Sequence, residues 1–334
     1  MFQMGRLVMW CVVNFVWPII QPVVKYLRWI DFLFIVYPGT DMDVRAYAPL
    51  WFRKAMKEIF PLSLIGIVCR GKGERRGLVI TLSCNPEEFS TEQLRNLRKE
   101  ICTFANSCGA SLIALAGRLP SIFILNQINL DYPFLKGDRG TVFTVTETVK
   151  YVLNAENLSL SSTIGVLGVG FVGGKVLRRL REQGYTSLIG IDPRVDSPYV
   201  NKHTILTGDL TFLKRCDAVI VLTAKGSDAM EAIPYLKEGV MVIDDTHPQL
   251  PYSLVKEIRK KRGKVYKTAL GFRSNGVKIF PRLPGYNSKW LPGCVIEALV
   301  VSNGYNGNII QERFDQKGRE IGLKPLLVVP RGEV

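Results

Sequence analysis

STIGVLGVGFVGGKVLRRLREQGYTSLIGIDPR, residues 162–194, reads as strand, glycine turn, helix and second strand in unbroken succession. Gly168, Gly170 and Gly173 take the three glycine positions of a dinucleotide-binding turn, for a tight bend, close backbone approach and helix-on-strand packing. Phe171 and Val172 would open the helix and offer their amides to a pyrophosphate, since a helix N-terminus is an anion site. Asp192 stands 19 residues past Gly173, where an acidic side chain meets the ribose 2′-hydroxyl. That favours NADH. Arg194, two residues on, suits a 2′-phosphate and keeps NADPH open.

Working outward, CDAVIVLTA (216–224) is the next strand of such a unit. Thr223 and Ala224 at its end fall where a nicotinamide would lie. GVMVIDDTHP (239–248) repeats the pattern and carries Asp244, Asp245, Thr246 and His247 at its C-terminal end, with His247 as candidate base. Residues 141–275 are thus expected to form a Rossmann-type parallel sheet domain, entered through an amphipathic linking helix from Thr141 to Leu153.

Upstream, residues 30–140 predict a smaller N-terminal α/β domain. IDFLFIVYPGTDMDVRAYAP (30–49) reads as a buried strand, then a helix capped by Thr40 or Asp41. LSLIGIVCR and GLVITLS flank the turn Gly71-Lys72-Gly73 as a hairpin. Ser90 and Gln93 make a capping box for a helix ending at Gly109. Residues 1–29 stand apart. Within them, LVMWCVVNFVWPIIQPVV (7–24) has no formal charge and is flanked by Arg6, Lys25 and Arg28. Asn14, Pro18, Gln21 and Pro22 weaken a continuous span, so residues 7–28 are read as spanning, lying on a membrane surface, or packing on the domain behind.

The formal charge of +15 favours anionic partners. Nucleic acid is not expected, because neither a basic helix with interleaved aromatics nor zinc-finger spacing occurs. Seven scattered cysteines without a CxxC pair point to reduced thiols, no structural metal and a cytoplasmic location, in the cytosol or at the cytoplasmic face of a membrane. Cys294 differs from the others. In KWLPGCVIEALVVSNGYNG (289–307) it follows Pro292-Gly293 at the first turn of an apolar helix, where the helix N-terminus would favour a thiolate nucleophile. The plain alternative is a small residue packed at a helix start. A nucleophilic Cys beside a nicotinamide would support thioester reduction through an acyl-Cys intermediate. Residues 276–334 are read as a C-terminal helical return presenting Cys294 toward the cofactor.

The chain resembles the long-chain acyl-acyl carrier protein reductases, aldehyde-forming enzymes, from about Ile30 to Leu327. The likeness rests on IDFLFIVYPGTDMDVRAYAP, GLVITLSCNPEEF, IALAGRLPSIF, GDRGTVFTVTETV, GVLGVGFVGGKVLRRL, MVIDDTHP and GCVIEALVV. It implies reduction of a fatty acyl thioester of acyl carrier protein or coenzyme A to an aldehyde with NADPH, and places the acyl-accepting cysteine on Cys294. The regular GVGFVG turn, Asp192 and the apolar extension depart from the family pattern. An acidic carrier would suit KEIRKKRGK (256–264) and the cluster Arg70, Lys72, Arg75 and Arg76. Two other readings stay open: an NAD(P)-dependent dehydrogenase of a hydroxy or amino acid, with a His or Lys acid/base and no thiol, and a membrane-associated nucleotide sensor without turnover.

Overall fold

The computed structural model describes residues 2–38, 45, 61–69, 76–272, 277–280, 290–304 and 310–330. The chain forms two compact units, one of residues 1–140 with 272–322 and one of 141–271 with 323–334.

The first unit opens with α1 (Phe2–Tyr26), followed by β1 (Phe32–Val36), β2 (Leu62–Cys69) and β3 (Arg76–Leu82). Phe32, Leu33, Phe34 and Ile35 are all fully buried, as a central parallel strand covered on both faces requires. Each such side chain contributes roughly 1.5–3 kcal/mol of burial. β2 and β3 pair antiparallel as the expected hairpin; its turn, the helix expected after Tyr37 apart from the helical Arg45, and Arg70, Lys72 and Arg75 lie outside the described residues. Ser90 accepts from the Gln93 amide while Gln93 accepts from the Ser90 amide, closing the capping box of α2 (Thr91–Cys108). The helix stops at Gly109, whose φ of 77° is the left-handed conformation that favours glycine. β4 (Leu112–Leu115), α3 (Leu119–Leu125) and β5 (Phe134–Leu135) follow. α4 (Asp138–Ala155) is the expected linking helix, three residues longer at its start than the hydrophobic pattern suggested.

α1 does not stand apart. Trp10, Asn14, Trp17 and Val24 are buried on the first unit, and the Trp17 ring stacks on Phe104. Asn14 donates to Leu64 O at 3.1 Å and accepts from Leu64 N at 2.8 Å, meeting both backbone groups of a residue beside a bulge in β2. Among the described residues, no helix is long and apolar enough to cross a membrane.

The second unit holds β6 (Ile164–Leu167), α5 (Phe171–Glu182), β7 (Leu188–Ile191), β8 (Tyr199–Val200), β9 (Thr204–Thr207), β10 (Ala218–Val221), β11 (Met241–Asp244), α6 (Tyr252–Lys260), β12 (Lys264–Lys267) and β13 (Leu270–Phe272). The sheet order is β12-β11-β10-β6-β7-β9-β8, parallel but for the short edge strand β8. The first six of these strands reproduce the doubly wound dinucleotide-binding order. Its strands are near-continuous apolar runs because both faces are covered.

The chain then returns through β14 (Lys278–Phe280), α7 (Gly293–Ser302) and α8 (Gln311–Glu320), ending in β15 (Leu323–Pro325), which pairs with β13. This corrects the expectation of a separate C-terminal segment. β14 is the edge strand of the first unit's sheet, β14-β2-β3-β1-β4-β5, and α7 packs against that sheet through an almost wholly buried surface. A helix apolar on every side but for Glu297, as GCVIEALVV is, needs such cover nearly all round.

Candidate active site

In the second unit the glycine turn joins the C-terminal end of β6 to α5. Gly168 has a φ of 94°. A Cβ at Gly173 would stand 2.1 Å from the Gly168 carbonyl oxygen, so the helix approaches the turn more closely than any side chain permits. Gly170 is the N-cap, with no side chain capping the first turn of α5. The amides there, Phe171 and Val172 among them, lie where an anion can meet them. Phe171 is half-exposed beneath the Lys175 ammonium, 3.9 Å from its ring centroid.

Asp192, nearly buried at the end of β7, accepts from the Val169 amide at 3.0 Å and ties the strand end to the turn. Arg194 closes on the same carboxylate, Nε to Oδ1 and Nη2 to Oδ2 at 2.8 Å each, and its own amide donates to Oδ1 at 3.1 Å. This bidentate pair holds the Asp192 carboxyl below the usual range, with burial opposing. The Arg194 side chain is 75% exposed, and Nη2 lies 3.4 Å from the position of a Gly170 Cβ. Both oxygens of the expected ribose ligand are therefore already engaged. The guanidinium beside the turn is the group left facing solvent.

The C-terminal ends of β11 and β12 carry a cluster of buried polar groups. Asp244 and Lys267 are neighbours in the strand register. Lys267 Nζ lies 3.5 Å from Asp244 Oδ2 and donates to the Thr246 carbonyl at 2.6 Å, with only 13% of its side chain exposed. Asp244 also accepts from the Thr246 amide, the Thr246 hydroxyl and the Leu250 amide. Asp245, hydrogen-bonded by the Thr268 hydroxyl, is pushed up to about 6 by burial, with Lys267 drawing it back and Asp244 adding to the rise. Thr223 and Ala224 follow β10, the adjoining strand, and the Thr223 hydroxyl donates to Lys225 O at 2.8 Å. His247 is exposed in the loop after β11. Lys267 is invisible to a reading of the sequence. A lone lysine ending KVYK has no motif, and only the pairing of β11 with β12 reveals its neighbour.

Cys294 belongs to the first unit. It is the second residue of α7, 7% exposed, beside Gly137, whose Cβ position falls 3.0 Å from Cys294 Cβ. The loop after β4 brings the Gly117 amide to the thiol. Arg118 N donates to the Tyr37 hydroxyl at 3.0 Å, and Arg118 pairs with Glu87. The helix position expected to favour a thiolate meets an opposing influence here. Burial pushes the thiol up to about 12, and Glu297, one turn along α7, adds to the rise against the helix amides. Iodoacetamide at pH 7.5, followed by peptide mass mapping, is expected to modify Cys294 at least about a hundredfold more slowly than an ordinary exposed cysteine. Comparable rates would show that an activated thiolate exists.

Glu297 is itself 2% exposed and accepts from the amides of Arg139 at 3.0 Å and Gly140 at 3.2 Å, at the start of α4. Burial first, then the neighbouring Asp138 charge, raises it to about 7. The basic run 256–264 meets the chain's own acceptors at several points. Lys261 Nζ donates to the carbonyls of Ile233, Pro234 and Leu236, and Lys260, Arg262 and Lys264 pair with Glu257, Glu238 and Glu156.

No family model matches the sequence, and no curated protein matches it. Solved structures do. Shikimate 5-dehydrogenase from Thermus thermophilus, determined with NADP(H) and shikimate, aligns at 11% identity over 87% of this chain and 99% of its own, with a TM-score of 0.41. L-tryptophan dehydrogenase from Nostoc punctiforme aligns at 13% identity over 87% and 79%, with a TM-score of 0.42. A D-isomer specific 2-hydroxyacid dehydrogenase from Xanthobacter autotrophicus Py2, in complex with NADPH and MES, aligns at 15% identity and a TM-score of 0.30 over 39% of this chain, which spans 65% of that protein's length. Likenesses this low leave substrate and reaction to the residues of the chain itself.

Proposed function

We propose that the chain is an NAD(P)-dependent oxidoreductase that interconverts the alcohol or amine carbon of a small hydroxy or amino acid with the corresponding carbonyl or imine. The observation that carries this reading is that one C-terminal sheet edge bears both the glycine turn after β6 and the half-sequestered Lys267 with Asp244 and Asp245 after β11 and β12.

The residues fit a dinucleotide. The lack of a Cβ at Gly173 lets α5 seat on the turn, and its uncapped first-turn amides suit the pyrophosphate. Arg194 would hold the adenosine end, with Thr223 and Ala224 toward the nicotinamide. When bound, that group gives or takes a hydride. The chain's part is the proton: Lys267 Nζ carries one, and the two carboxylates beside it keep the ammonium in place for a substrate oxygen or nitrogen that gains charge. An excess of 15 positive charges draws an anionic substrate.

Because Asp192 is occupied by Arg194, NADPH is the preferred form. Arg194→Ala is expected to weaken NADPH binding about tenfold to a hundredfold in a fluorescence titration and leave NADH nearly unchanged. Equal losses for both would remove Arg194 from 2′-phosphate recognition. The reaction itself is tested by following reduced-cofactor absorbance with a panel of 2-oxo acids, each with and without ammonium. The reading fails if neither cofactor binds, or if bound cofactor is oxidised by none of them.

Fatty acyl thioester reduction through Cys294 keeps one observation in its favour: Cys294 lies at the C-terminal ends of β1 and β4 in the first unit, beside the Gly117 amide. Intact-mass measurement with acyl-coenzyme A and with acyl carrier protein decides it. An adduct on the unaltered chain and none on Cys294→Ala would favour it over the dehydrogenase.

A further inference from the structure

We infer that the solvent-facing side of α1 is a docking surface for an anionic lipid bilayer, which it would meet lying flat, held to the first unit by its opposite side.

The two sides of α1 differ in partner and hardly in polarity. Trp10, Asn14, Trp17 and Val24 face the unit. Val8, Val12, Ile19 and Val23 face solvent at 57%, 55%, 74% and 58% exposure, with Phe15 between them at 65%. Their spacing follows the helical period, so these side chains make a continuous apolar stripe where an ordinary surface helix carries charge. Soluble surfaces rarely leave so long a contiguous apolar strip uncovered. The same character continues past the helix end: Tyr26 is 87% exposed, Leu27 61% and Trp29 53%.

Charge selects the occupant. No acidic residue occurs before Asp31, whereas Lys25 and Arg28 are exposed at the C-terminal end of the stripe beside Tyr26 and Trp29. Aromatic rings with basic residues at the edge of an apolar face suit the headgroup region of an anionic leaflet. A second copy of the chain would bring another +15 against this one. Depth is limited as well, because the Asn14 bonds to Leu64 fix the helix along the sheet and Pro18 and Pro22 interrupt its backbone ladder. The stripe can sink into the headgroup boundary while the helix stays on its unit.

The test is co-sedimentation of the full chain with vesicles of phosphatidylcholine plus phosphatidylserine, and with phosphatidylcholine alone, at low and high salt. Binding is expected to the mixed vesicles, at least about tenfold weaker to the neutral ones, and reduced by salt. The double variant Val12→Glu, Ile19→Glu should lose at least about tenfold in vesicle affinity. Both sites are exposed, so its thermal melt should match the parent. Failure of the parent chain to bind mixed vesicles, or undiminished binding by the variant, overturns the inference. So does a dimer that the variant dissolves while vesicle binding is absent.

Discussion

Lys267→Met is expected to lower kcat of the proposed dehydrogenase by about 10²–10⁴-fold, the usual contribution of a positioned acid/base group, while reduced-cofactor binding changes little. The separation follows from position. Lys267 ends β12, whereas the glycine turn follows β6, with β11 and β10 between them in the sheet. Removing the ammonium leaves Asp244 fully buried, but its carboxylate keeps the Thr246 amide and hydroxyl and the Leu250 amide. Some loss of stability, up to about 3–5 kcal/mol for a broken buried pair, must be followed by a melt alongside the kinetics. With Asp245 pushed up to about 6, the parent enzyme should also lose kcat as the pH falls through that value and Lys267 loses one of its two negative neighbours. Steady-state rates from pH 5 to pH 8 give both results. A variant within about threefold of the parent, showing the same acid limb, would take Lys267 out of the chemistry.

Glu297→Gln is expected to stabilise the protein at pH 8 by as much as about 3 kcal/mol and to do little at pH 4. The carboxyl is raised from 4.5 to about 7 in the fold, chiefly by burial. Below about pH 4.5 it is protonated whether the chain is folded or not, and no penalty applies. Between 4.5 and 7 the unfolded chain releases its proton while the folded chain holds it, so stability falls as pH rises and levels off above 7. Glutamine retains an oxygen for the Arg139 and Gly140 amides without the charge. Urea unfolding of both proteins at several pH values should show a slope in the parent that the variant lacks. Parallel curves would mean that Glu297 is ionised at no cost.

The dinucleotide unit is legible in the sequence because its determinants are local. The glycines, Asp192 and the apolar strands lie within one short run, and each residue type has one conformational or chemical reason to be there. The α2 cap is readable for the same reason, with Ser90 and Gln93 satisfying each other's amides across one turn. What sequence alone misses depends on partners distant in the chain. Lys267 matters because register sets it beside Asp244. Burial of α7 against a sheet, with Glu297, ordinary in a helical pattern, buried beside it, works against the thiolate expected of Cys294. Asn14, a weakness in an apolar span, is the residue that fastens α1 to β2. In the sequence Arg194 competes with Asp192 for the ribose; in the fold the two form one bidentate pair.

Both units are discontinuous in the chain, but the dinucleotide-binding sheet is not. Strands β6 to β12 follow one another without interruption, so the dinucleotide-binding sheet can pair as it leaves the ribosome. The first unit must wait for β14 and α7 from residues 272–322. Until then β2 lacks an edge partner and the sheet lacks the apolar cover of α7, leaving a template for wrong strand pairing. A nascent chain arrested before residue 272 should therefore depend on chaperones more for its earlier-made half than for the dinucleotide-binding sheet made after it.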